Sequence, residues 1–277
     1  MGHHLYSICF SHYVERARWA LDHFEVPYVE SRYMPLFHFP AVAAMTLGHR
    51  GRWDKVSSPY STPLLVLEGG KRVQDSAAIS RWASDTFGDE ETSLYPSQEV
   101  ERIERELHDR LGPHTRRAIY FEGLSRPDIM IELARRNVGS VQAALFTASY
   151  PLFRRALVKA LRITAQSAAR SLDQVREVFE ELEGRYGGRR YLVGDRLTAA
   201  DISLACMAAP VLLPTPEHGY GAVLPSIEVL DPHVVDLVEE FRATPTGQRA
   251  LRLFVESRRA RASEMRGRRA QMGEVGG

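Results

Sequence analysis

Apolar positions in the first third of the chain change period several times, and each change marks an element. Leu5 to Ile8 is a short apolar run of strand length, after which Ser11 stands ahead of Val14, Ala17, Leu21 and Phe24, spaced by three and four as on one helix face. Pro27 closes that segment, and Tyr28 to Tyr33 has the β-branched and aromatic content of a second strand. From Met34 to Ser61 the pattern is irregular, with prolines, glycines and a basic cluster at Arg50, Arg52 and Lys55, and room for a short helix around Ala41 to Leu47. Leu64 to Leu67 is a continuous apolar run of buried-strand type, Gly69 and Gly70 suit the positive φ angles of a two-residue hairpin turn, and Arg72-Val73 begin the return strand. Asp75 or Ser76 can cap the next helix, whose Ile79, Trp82, Ala83 and Phe87 share one face and whose stop is Gly88. The order is β-α-β-(α)-β-β-α, with a parallel strand pair across the first helix and an antiparallel pair across the glycines.

Asp89 to Ser97 is polar, contains Pro96 and lacks periodicity, so it reads as a linker. Beyond it every readable segment has helical period. Leu172, Val175, Phe179 and Leu182 form a stripe on a charged helix that stops at Gly187-Gly188. Thr198-Ala-Ala-Asp201 is a capping box, with Leu197 and Ile202 at the staple positions. The helix it opens is apolar all round from Ile202 to Ala209, which requires burial on every side. The expected organisation is a domain over residues 1–88, the linker over 89–97, an all-α domain over 98–265 and a disordered Arg- and Gly-rich tail over 266–277.

Composition narrows the function classes. The 277 residues suffice for two ordinary domains, and a net charge of +1 gives no global reason to expect nucleic acid as partner. The two cysteines, Cys9 and Cys206, have no zinc-ligand spacing and fit a reducing compartment, so a cytoplasmic protein without disulfides or metal is expected. No apolar run is long enough to span a bilayer, so no membrane association is expected either. Arg258, Arg259, Arg261, Arg266, Arg268 and Arg269 make the C-terminus locally basic, a pattern that usually marks a solvated face.

Three segments resemble the glutathione S-transferase family in the family's own order. They are Leu5-Tyr6 with Ser11 to Leu21, the hairpin from Thr62-Pro63 to Asp75-Ser76, and Tyr191 to Ile202. The resemblance implies an α+β thioredoxin-like N-terminal domain followed by an all-α C-terminal domain. It also implies a homodimer that conjugates glutathione to a small electrophile in detoxification. By the same resemblance Pro63 is cis, Thr62 holds the cysteinyl unit through its backbone, and Asp75 and Ser76 hold the γ-glutamyl end. Asp75 is one methylene shorter than the usual Glu or Gln. The glycyl carboxylate would fall to Arg50, Arg52, Trp53 or Lys55. On local sequence alone the proline is an edge-strand residue and Asp-Ser a cap.

The chemistry needs a thiolate near neutral pH from a thiol of pKa about 8.5, and two units of lowering amount to about 2.7 kcal/mol. A hydroxyl hydrogen bond to a charged group contributes about 1.5–3 kcal/mol, and a helix N-terminus about 0.3–1. Ser11, in the position of the family's catalytic serine or cysteine, can supply both, although locally it is also an ordinary N-cap. Tyr6 reads as a packing residue, and Tyr13, one turn into the helix, as a residue lining the second-substrate pocket. Cys9 is a competing thiol for glutathione-dependent redox chemistry, or a buried strand-end thiol. His12 stands where many relatives have proline and is expected either in solvent or as a pocket residue that tunes the site. Pro210 to Pro225 can cover the pocket or form a plain surface loop. A third possibility is a binding or scaffold protein that keeps the fold without chemistry.

Overall fold

The protein is described by a computed structural model covering residues 2–47 and 60–259. β1 (His3–Ile8), α1 (His12–His23) and β2 (Tyr28–Tyr33) form a parallel strand–helix–strand unit with His3 opposite Tyr28 and Ile8 opposite Tyr33. After α2 (Phe39–Thr46), β3 (Leu64–Val66) and β4 (Arg72–Gln74) make the hairpin, and α3 (Ser76–Phe87) closes the domain. The sheet order is β2-β1-β3-β4, with β3 antiparallel to both neighbours. This is the thioredoxin-like domain expected from the sequence. Arg50, Arg52, Trp53 and Lys55 lie outside the described residues.

Two local expectations change. Gly69 and Gly70 have φ of +90° and +86° as the turn requires, but the Leu67 N–H donates to the Lys71 carbonyl, so the loop has three residues and includes Glu68. Phe87 does not join the buried face of α3. Ile79 and Ala83 do, whereas the Phe87 ring is exposed and meets Trp82 edge to face.

The second domain is all-α among the described residues. It comprises α4 (Gln98–Arg110), α5 (Gly112–Gly123), α6 (Pro127–Asn137), α7 (Ser140–Leu161), α8 (Ala165–Tyr186), α9 (Ala199–Leu212), α10 (Pro232–Ala243) and α11 (Pro245–Leu253), and ends in a π-helical turn, Phe254–Arg259. None of these helices is long and apolar enough to cross a membrane. α9 is the axis. Every residue from Ala199 to Ala209 is buried, as its all-round apolar sequence demands. The Asp201 carboxylate anchors its start by accepting from the Thr198 N–H (2.9 Å), the Thr198 hydroxyl (2.7 Å) and the Leu192 N–H (2.8 Å).

α1 is shared between two cores. Val14, Ala17 and Leu21 pack with Leu5, Leu65, Ile79 and Ala83 over the sheet, while Trp19 and Ala20 join the large core of the helical domain. Between those faces α1 carries Glu15, Arg16 and Arg18, each at most 1% exposed, so each must be paired inside the protein. Arg18 bonds Glu30 at 2.6 Å, Glu15 at 3.1 Å and the Cys9 carbonyl at 2.8 Å. Glu15 also accepts from Arg258 at 2.9 Å. Arg258 is therefore not part of a solvated basic face: it is 3% exposed and pairs with Glu15 and Asp22. Its basic companions from Arg261 onward, and the 266–277 tail, lie outside the described residues.

Candidate functional site

Ser11 occupies the joint between β1 and α1. Its N–H donates to the Ile8 carbonyl (3.0 Å) and its carbonyl accepts the Glu15 N–H (2.9 Å), which fixes its backbone at the N-cap. Its hydroxyl makes no capping bond, an uncommon economy at a serine N-cap, and the side chain lines a cavity between the domains. The opposite walls are α5, through Arg116, Ile119, Tyr120 and Gly123, and α6, through Ile129, Met130 and Leu133. Pro210, Leu213, Tyr220, Leu224 and Pro225 roof it, so the segment after α9 covers the pocket. Tyr220 is 4% exposed and its hydroxyl reaches the Phe10 carbonyl at 3.4 Å.

The neighbours of Ser11 divide. His12 lines the cavity but is 4% exposed and not in solvent. Burial above all, then the charges of Arg116 and Arg16, hold it well below the usual histidine range, and its Nε2 has no hydrogen-bond partner among the described residues. Tyr13 does not line the cavity. Its ring lies 4.2 Å from the His12 ring and 5.0 Å from His108, and its hydroxyl rests so close to Gly112 that a Cβ there would meet it at 2.5 Å. Cys9 is fully buried, with its sulfur 3.9 Å from Met34 Sδ, and burial pushes its thiol up to about 12. That thiol is inert at neutral pH. Tyr6 stacks on His4 at 4.5 Å, away from these groups.

The hairpin supplies a second cluster. The Thr62–Pro63 bond is cis, and the Pro63 carbonyl accepts the Asp75 N–H at 3.1 Å, which brings the start of α3 beside the proline. Thr62 makes no backbone hydrogen bond to another described residue, and its hydroxyl is buried without a partner among them. Asp75 has φ +82° and ψ 141°, a conformation that costs a non-glycine residue about 1–3 kcal/mol and concentrates at functional sites. Its Oδ1 caps Ala77 and Ala78 while its side chain stays 41% exposed.

Ser76 is not the outward-facing hydroxyl expected. It is fully buried, and its oxygen accepts from Arg16 Nε at 3.0 Å and from Nη2. Arg16 also reaches Ser203 on α9 (3.2 Å), His108 on α4 (2.9 Å) and, at 3.6 Å, Glu104. The hairpin cluster is thus wired through α1 into the helical domain. Sequence reasoning did not find Arg16, because its partners are 60 to 187 positions away. It also missed Arg116, although the i, i+3, i+4, i+7 spacing of Arg116, Ile119, Tyr120 and Gly123 marks one helix face.

A sequence profile of the glutathione S-transferase N-terminal domain matches residues 10–86, and one of the glutathione S-transferase C-terminal domain matches residues 165–242. The chain belongs to the glutathione S-transferase family. Solved structures similar to this glutathione S-transferase family chain include a glutathione S-transferase of Ceriporiopsis subvermispora in complex with glutathione, at 16% identity and TM-score 0.59, over 92% of this chain and 96% of that one. Glutathione transferase GSTFuA3 from Phanerochaete chrysosporium is similar at 14% identity and TM-score 0.59, over 94% and 97% of the two chains. Poplar glutathione transferase F1 follows at 14% identity and TM-score 0.56, over 97% and 99%. At such identities the likeness speaks for the fold. No curated protein sequence matches the chain.

Proposed function

We propose that this family member is a glutathione transferase in which Ser11 stabilises the glutathione thiolate and a small electrophile is attacked from the adjoining cavity. One observation carries the reading: the Ser11 hydroxyl is free of capping duty at the N-terminus of α1 and faces the cavity between the domains. A free hydroxyl and a helix N-terminus together supply the roughly 2.7 kcal/mol that two units of thiol acidification require. In this reading the Thr62 backbone pairs with the cysteinyl unit as one strand with another. The exposed Asp75 carboxylate takes the γ-glutamyl ammonium. The γ-glutamyl carboxylate faces the α3 N-terminus, where Ser76 holds the Arg16 guanidinium and adds a fixed positive charge. Redox chemistry at Cys9 is disfavoured by its burial and raised pKa. A cytoplasmic homodimer is the working assembly.

The test is calorimetric titration with glutathione followed by turnover. Binding in the millimolar range or tighter is expected, and Ser11→Ala should keep that binding, lower kcat about 10²-fold and move the acid limb of the kcat profile, where the bound thiol ionises, to higher pH. Absence of binding at millimolar glutathione sinks the proposal, and full activity in Ser11→Ala sinks the role of the serine.

A further inference from the structure

The walls of the cavity are apolar almost throughout, so its charges stand out. Four lining side chains carry full charge: Arg116, Glu122, Arg126 and Asp231. Three of them are satisfied by the protein itself. Arg126 bonds Asp231 at 2.6 Å and Asp128 at 2.7 Å, and Glu122 accepts from His233 at 2.8 Å. Arg116 has no carboxylate within ion-pair distance among the described residues. Its surroundings are aromatic instead, with the guanidinium carbon 5.8 Å from the centre of the Tyr13 ring and its charge acting on His12, Tyr13 and Tyr120. His12 adds a buried Nε2 with no partner among the described residues, on the wall that also carries Ser11.

A half-buried guanidinium beside apolar walls is stabilised by a matching anion, because low polarity strengthens the pair and the planar fork fits a carboxylate in two bonds. An apolar cavity with one convergent polar corner selects a ligand of the same layout. We infer that the cavity takes an apolar, ring-sized molecule bearing a carboxylate, with Arg116 and His12 receiving the carboxylate. That this molecule is the electrophile rests on the transferase reading; the selectivity itself does not.

The inference is tested on the full chain without glutathione, by calorimetry with naphthalene-2-carboxylate and its neutral methyl ester. The acid should bind at least about tenfold more tightly than the ester. Arg116→Gln should abolish that preference by weakening the acid about tenfold, while ester affinity stays within about twofold and shows that the cavity is intact. Arg116→Lys should retain part of the preference, and Arg135→Gln, an exposed change outside the cavity, all of it. Equal affinities, a preference that survives Arg116→Gln, an equal loss for both ligands, or no binding of either would each overturn the inference. If glutathione fails to bind while the acid preference holds, the transferase reading falls and the anion-selective cavity stands. If Arg116→Gln weakens glutathione and not the acid, the guanidinium serves the tripeptide and the inference falls.

Discussion

His12 shows how a single side chain couples the site to pH. Burial lowers its affinity for protons in the fold, and Arg116 and Arg16 add like-charge repulsion. Because the folded pKa lies below the unfolded value of 6.5, the unfolded chain takes up the proton first as pH falls. Stability is therefore unaffected by this group above pH 6.5 and declines below it, by at most about 1.4 kcal/mol per pH unit. His38, lowered to about 4, and His108 act with the same sign. His12→Gln should shrink the loss of urea-measured stability between pH 7.5 and 5.5 by about 1 kcal/mol. An unchanged loss would show that other groups set the acid response. From sequence, His12 looked like a solvated residue, since only tertiary packing puts a polar residue at the first position of a helix under a second domain. The place of Ser11 at the joint of β1 and α1 was easier to find. A hydroxyl between an apolar strand and a periodic helix announces itself locally, while Ser76 was recognisable as a helix start but not as the acceptor of a buried arginine.

At the scale of elements, legibility followed the range of the forces involved. The sheet, α1, the α8 stripe and the α9 capping box were read correctly because short apolar runs, turn glycines, helical period and capping are decided within a few residues. The four helices between Gln98 and Leu161 were legible only as helical period, and the glycine turn was one residue longer than its dipeptide suggested. That α9 is wholly interior followed from its all-round apolar surface. Its anchor can be tested. Asp201→Ala would leave two backbone N–H groups and one hydroxyl buried without their acceptor, so a loss of about 2–4 kcal/mol in urea unfolding is expected. A change under about 1 kcal/mol would mean that the three donors find other partners.

For the whole molecule, the seam between the domains is where sequence said least and structure says most. Arg258 closes on Glu15 and Asp22 from 243 and 236 positions away, and Phe254 stacks against Trp19 at 5.1 Å. Arg258→Ala takes a buried cation from Asp22 and from Glu15, which keeps Arg18, and breaking such a buried pair should cost about 3 kcal/mol of unfolding free energy. A thermal scan that leaves the variant within a degree of the parent would contradict this. The basic run that contains Arg258 is thus a latch at its first member. α1, whose two faces belong to two cores, carries the same logic further. The border that composition draws through residues 89–97 does not separate the packing, since cutting the chain there would release one fragment with Trp19 bared, Arg16 without Ser203, His108 and Glu104, and Glu15 without Arg258. The other fragment would lose the wall against which α9 is packed. Neither half is therefore expected to fold alone, and the two domains should unfold in one cooperative transition.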